Sequence, residues 1–226
     1  GGDVLCPDGT RASGCLDSPH SVWAFRALTG LATRDSVVPR YFGLRRSLGD
    51  HLRNFYAGRL AMLPVGHFWM PQFRQYREQG RVRVGFTQLP HREGFPPATV
   101  LYASGFAVAK NARHKRLSVE LAAYMADSLA QVTRAAGGLE IPALSRVADA
   151  VVRVDTSGFE GVFRRAVRTG RMPWGARIGK WREVEAILPD IIDRLVLNGE
   201  DVETVLHDVA RQIDAVLASR AGDRPR

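Results

Sequence analysis

Six histidines, two cysteines and four tryptophans are the side chains through which this 226-residue sequence could do chemistry or grip a ligand. The histidines, His20, His51, His67, His91, His114 and His207, show no HExxH or related metal spacing, and no second Cys/His group completes a site. No GxSxG elbow and no P-loop occurs, and GGLEIP lacks the glycine spacing that cradles a phosphate. Carboxylates fall mostly on polar helix faces, where solvation rather than paired acid–base work is expected. The expectation is a protein that is not an enzyme, with no metal and no cofactor.

Cys6 and Cys15 lie in VLCPDGTRASGCLDSP. The intervening PDGT is a turn signal that folds residues 4–6 back on residues 12–15, and such a hairpin could bring the two Cβ atoms within bridging reach. A disulfide would imply an oxidising, extracytoplasmic compartment. The alternative is two unrelated thiols in a loop. The spacing is no zinc signature, since close CxxC pairs are lacking.

What remains is a set of aromatics in irregular places. Phe68 and Trp69 follow the apolar run of RLAMLPVGHFWMPQFRQ, Tyr102 stands beside Ser104-Gly105, and Trp174 lies in RTGRMPWGARIGKW. Aromatic faces at the junctions of loops and elements suit ligands with flat apolar patches and many hydroxyls, because stacking supplies area while polar neighbours fix orientation. Sugars fit that description. Packing against the protein's own core is the alternative for each ring.

The elements that must position these residues follow from pattern. Asp17-Ser18-Pro19 starts a helix with Val22, Phe25, Leu28 and Ala32 on one face. A second helix is expected from Ser47 to Ala57, capped by Gly58. Leu60–Val65 reads as a short apolar strand ending at Gly66, with a helix from Pro71 to Glu78 after it. Arg81–Gln88 alternates like a half-solvated strand, and Thr99–Ala109 reads as a longer apolar strand. Gly105 would mark a bend or a close backbone approach to something bound. Arg116–Ala136 reads as one helix with Leu117, Leu121, Tyr124, Met125, Leu129 and Val132 inward, ended by Gly137-Gly138. Short helices are expected at Leu144–Ala150 and Phe159–Val167. Two amphipathic helices close the chain, Lys180–Val196 with a kink at Pro189 and Val202–Ala218, before a polar, frayed tail. Strands alternating with helices make an α/β assembly with a helix-rich end.

With 45% hydrophobic residues the chain has ample core material. Charge breaks its apolar runs within about ten residues, well short of the roughly 20 a transmembrane helix needs. The net charge of +9 invites a nucleic-acid reading, but Lys110, Lys115 and Lys180 are the only lysines and the arginines are scattered singly rather than striped. No nucleic-acid partner is expected, and a basic nucleic-acid-binding module stays the rival binding class. The sequence does not begin with Met and shows no signal segment at Gly1, so the expectation is either a leader that was removed or a longer missing segment.

Five stretches in order resemble the extracellular solute-binding proteins of the carbohydrate ABC-importer group, the relatives of maltose-binding protein. GGDVLCPDGTRASGCLDSP is similar to that group's approach to a helix. FYAGRLAMLPVGHFWMP resembles its GkaAM…GsW block, and VLYASGFAVAKNARHKRLSVELAAYMADSLAQ its GG…aIsk…aAweFl stretch. GGLEIPALSRVAD resembles its G-x-lPa segment, and the last two helices its closing pair. The resemblance implies a two-lobed, type II periplasmic-binding-protein-like fold of which this chain is the C-terminal portion. Residues 1–98 and 151–226 would belong to the C-terminal lobe and residues 99–150 to the N-terminal lobe, most of which would precede Gly1.

It further implies the substrate-binding component of an ABC importer, extracytoplasmic in the periplasm or on the cell surface as a lipoprotein. A carbohydrate or polyol held between the lobes and the ABC permease subunits would be its partners. A truncated, non-transporting fragment is the alternative. By position Trp69 takes the place of the aromatic that stacks on a sugar. GHFW in place of GSW shifts the register by one, so that His67 or Phe68 could take that place instead. Tyr102, Ser104 and Gly105 fall near the element that lines the cleft, and Trp174 in a loop of varying length. Without a covering lobe, the apolar side chains of residues 99–109 and 116–136 would leave a sticky surface.

Overall fold

The computed structural model describes residues 2–38 and 48–219. The expected helix start at Ser47 and the polar tail from Arg220 lie outside the described residues. The chain forms two compact units, one built from residues 1–51 and 173–226 and the other from residues 52–172. The expected lobe boundaries lie instead at 98/99 and 150/151.

The first unit is organised by three helices. Ser18 caps α1 (Pro19–Thr33), accepting from the amide of Ser21, with Pro19 in the first turn. Val22 and Ala32 are buried as the periodicity predicts, but Leu28 faces out. α8 (Trp181–Ile192) runs through Pro189 and widens into a π-helix over Asp193–Leu197. Asn198-Gly199 then ends it, Gly199 taking a left-handed φ of 71° while the amide of Glu200 returns to the carbonyl of Arg194. α9 (Val202–Ala218) is capped by Asp201 and buries Val205, Leu206, Val209 and Ile213 completely. These side chains pack with Leu5, Leu16, Val184 and Ile191 into one core.

α2 (Leu48–Tyr56) spans the boundary at 51/52 and ends in the second unit at Gly58, whose φ is 70° as the expected cap requires. A three-residue 3₁₀ turn, His67–Trp69, leads into α3 (Met70–Glu78). α4 (Lys115–Met125), α5 (Ser128–Ala136), α6 (Ser145–Val154) and α7 (Phe159–Val167) follow. Aromatic rings hold this unit together: Phe73 meets Phe55, Tyr56 and Phe86 edge-on or tilted, and Phe86 reaches Phe159 and Phe163.

The expected strands are the main corrections. Residues 60–66 and 81–88 form no strand, and Thr99–Ala109 contributes only β1 (Thr99–Val100), which pairs in parallel with β2 (Gly170–Arg171). A strand exists only where a neighbour completes its ladder, and among the described residues these segments have none. Met62, expected in a core strand, is 86% exposed. The expected helix 116–136 is two helices, because Asp127 turns the chain and caps α5 by accepting from the amide of Ala130. Its expected inward residues Leu117, Leu121, Tyr124, Met125, Leu129 and Val132 are all exposed.

Candidate functional site

The turn after Gly66 puts three neighbouring rings into three different environments. Gly66 has an ordinary extended backbone (φ −91°, ψ 161°), so the residue is set by space: the Phe68 ring folds over it where a Cβ would stand. Phe68 is 62% exposed. Trp69 lies beside it with ring centroids 5.8 Å apart, half-buried, its indole Nε1 enclosed without a hydrogen-bond partner.

His67 points the other way. Its side chain is 7% exposed and its Nε2 lies 2.8 Å from Oε2 of Glu160, whose side chain is 4% exposed. The imidazole also stands edge-on to Phe163 at 4.9 Å. Arg74 donates to the other oxygen of Glu160 at 2.5 Å. Glu160 in turn donates its amide to Asp155, which also accepts from the amide and hydroxyl of Ser157. Burial works to raise the Asp155 pKa, but these donors from Ser157 and Glu160, with Arg74 nearby, hold it below the usual carboxylate value. His67 is therefore an internal anchor in this arrangement, while Phe68 presents its ring to solvent.

Sequence reasoning missed Glu160, Arg74 and Asp155. The local part was readable, since DTSGFE is a helix-start pattern that places Asp155, Ser157 and Glu160 together. The pairing with His67 spans 93 residues and leaves no mark in either segment. Among the described residues, Tyr56 Oη, His67 Nδ1 and Gln72 Oε1 are also buried without a hydrogen-bond partner. Burial, with Tyr76 adjacent, pushes the Tyr56 phenol up to about 12.

Tyr102, Ser104, Gly105 and Trp174 are the other expected site residues. Tyr102 is 79% exposed, Ser104 and Gly105 are exposed, and among the described residues a Cβ on Gly105 would meet open space. Among the described residues Tyr102 makes no ring contact with Phe68 or Trp69. Trp174 belongs to the first unit and is 8% exposed. Its Nε1 donates to Asp3 at 2.7 Å and the Arg177 guanidinium covers its ring at 4.0 Å, so it serves the core of that unit.

Cys6 and Cys15 are joined by a disulfide with Cα atoms 5.3 Å apart. The turn between them is local: Gly9 donates to the carbonyl of Cys6, and Asp8 accepts from the amide and hydroxyl of Thr10. Among the described residues no group of His, Cys, Asp or Glu could hold a metal ion, and no helix is long and apolar enough to cross a membrane.

No protein-family model matches the sequence, and no curated protein does. Solved structures do resemble it. Over 97% of this chain the backbone follows that of an ABC substrate-binding protein from Listeria monocytogenes in complex with cycloalternan, at 18% identity and a TM-score of 0.75. The chain has a solute-binding-protein fold. It is also similar to an ABC transporter solute-binding protein from Thermotoga lettingae bound with α-D-tagatose, at 18% identity, a TM-score of 0.78 and 96% of this chain. A Synechococcus protein described as an oligosaccharide periplasmic-binding protein matches at 17% identity and a TM-score of 0.66. The chain spans about half the length of these proteins, 54%, 53% and 55% of each. The fold is thus periplasmic-binding-protein-like over that half, and largely helical here.

Proposed function

We propose that this chain is part of the substrate-binding component of an ABC importer, taking a carbohydrate or polyol and delivering it to a membrane permease. The observation that supports it most is the solute-binding-protein fold over nearly the whole chain, in company with relatives bound to cycloalternan and tagatose. In this reading residues 1–98 and 151–226 belong to one lobe of a larger two-lobed protein and residues 99–150 to the other. Phe68 and Trp69 are its ligand-facing aromatics, with Tyr102, Ser104 and Gly105 on the returning segment. The protein works outside the cytoplasm, where the Cys6–Cys15 bridge persists. It does no chemistry on its ligand.

The physical reasoning is that of carbohydrate recognition. A sugar ring has an apolar face that an aromatic ring covers, while its hydroxyls need donors and acceptors held in place. An exposed Phe68 beside a half-buried Trp69 supplies the first need. The test is calorimetry on the protein that carries this chain, against ketohexoses including tagatose, linear and cyclic oligosaccharides including cycloalternan, and polyols. Saturable binding to one class is expected, with Phe68→Ala or Trp69→Ala weakening it about 5- to 150-fold, as loss of a stacking ring of about 1–3 kcal/mol implies. Absence of saturable binding across the panel overturns the sugar class.

A further inference from the structure

The turn that carries Phe68 and Trp69 is gripped at both ends by a single carboxylate. His67 opens the turn and Arg74 lies on the helix into which it runs, and each hydrogen-bonds one oxygen of Glu160, at 2.8 Å and 2.5 Å. Residues 68–73 are therefore closed into a ring by two side chains and one acceptor. A carboxylate only accepts, so His67 meets it through a donating Nε2–H. Glu160 itself cannot wander: it sits in the first turn of α7, its amide is bonded to Asp155, and its side chain is nearly fully buried.

Resting on the carbohydrate reading above, we propose that His67, Glu160 and Arg74 are positioning residues that set the direction in which Phe68 and Trp69 meet a ligand. Stability alone does not call for this arrangement. Met70 and Phe73 are fully buried and already anchor α3, whereas a buried, hydrogen-bonded carboxylate adds little stability over apolar packing of the same volume. What the contact adds is direction: with His67 held against α7 by both Glu160 and Phe163, the next two side chains of the 3₁₀ turn are set about 120° round from it on either side. Phe68 accordingly emerges into solvent.

The test compares His67→Ala, His67→Gln and Glu160→Gln in the protein that carries this chain. Hydrogen exchange is followed at residues 66–70, with α5, a helix of the same unit, as the internal control, and the Trp69 contribution to emission is taken as the difference from Trp69→Phe. His67→Ala and Glu160→Gln should speed exchange in the turn about tenfold, leave α5 unchanged and shift the Trp69 emission. His67→Gln retains an Nε2–H donor but not the ring against Phe163, and should fall between His67→Ala and the wild type. Where the wild type binds tagatose or cycloalternan, affinity should fall with the same ranking, Ala below Gln. Unchanged exchange and emission in both His67→Ala and Glu160→Gln overturn the proposal. So does exchange that rises equally in the turn and in α5, which would mean a general loss of stability of this unit. If the turn loosens as expected but no carbohydrate binds the wild type, the positioning role stands and the sugar reading falls.

Discussion

Phe68 and Trp69 adjoin in sequence and differ in situation, and Trp174, grouped with them by type, differs from both. A ring that is to meet a ligand must keep a face open. The Trp174 ring is covered by Arg177, its Nε1 is taken by Asp3, and Gly9, in a left-handed turn at φ 72°, leaves the room a side chain would otherwise take from Ile178 and the indole. Trp174→Ala should therefore destabilise the protein by about 3–5 kcal/mol in urea unfolding, as truncation of a buried aromatic does. Trp174→Phe, which keeps the ring but drops the bond to Asp3, should cost about 1–3 kcal/mol. Neither effect should carry into affinity: Trp174→Phe binding carbohydrate as the wild type does is the expected outcome, and a tenfold loss would return this residue to the ligand site. Residue type and a loop position were legible in the sequence for all three rings. Which face each ring shows depends on partners as distant as Asp3 is from Trp174, 171 residues away, and no local pattern records that.

Among the elements, most helices were legible, although the Asp127 cap that divides α4 from α5 was not, and the strands were not legible. Ser18, Asp201, Gly58 and Gly199 each act locally, on amides or carbonyls within one turn, so the bounds of α1 and α9 and the ends of α2 and the π-helix could be read from the residues themselves. Residues 81–88 alternate as a strand should, and Phe86 does turn its ring onto Phe73, but the backbone around it has no ladder partner. Alternation reports which side chains share a face, not whether a neighbour is present. The disulfide hairpin shows how a loop is fixed without a ladder. Asp214 on α9 accepts from the amides of Ala12 and Ser13. Burial works to raise its pKa, but donation from Ser13 and Ala12, with Arg11 nearby, leaves it below the usual carboxylate value. Its folded pKa lies below its unfolded one, so the stability it contributes is present above about pH 4 and is lost as the pH falls toward the folded value. Between pH 5 and pH 3 the melting temperature of the wild type should drop more steeply than that of Asp214→Asn, measured at constant ionic strength. Parallel curves would mean that Asp214 does not hold the hairpin in solution.

At the scale of the whole chain the apolar surface is badly distributed for an isolated protein. Leu101, Tyr102 and Phe106, with Leu117, Leu121 and Tyr124 of α4 and Leu129 and Val132 of α5, are all exposed within one unit. Full burial of such side chains is worth about 1.5–3 kcal/mol each. These are the residues that periodicity marks as inward, so their pattern was legible while the surface that covers them was not. The structures sharing this fold are nearly twice as long as the chain. Opposing collapse is the net charge of +9, whose mutual repulsion weakens as salt screens it. The 226-residue chain alone should therefore bind a hydrophobic dye in its native state and self-associate with rising concentration, more strongly at 0.5 M than at 0.05 M salt. Light scattering behind size exclusion over a hundredfold dilution series reads this directly. A monodisperse monomer at every concentration and salt, with a sharp unfolding transition that does not move on dilution, would mean that the exposed residues of α4 and α5 are covered by the chain itself.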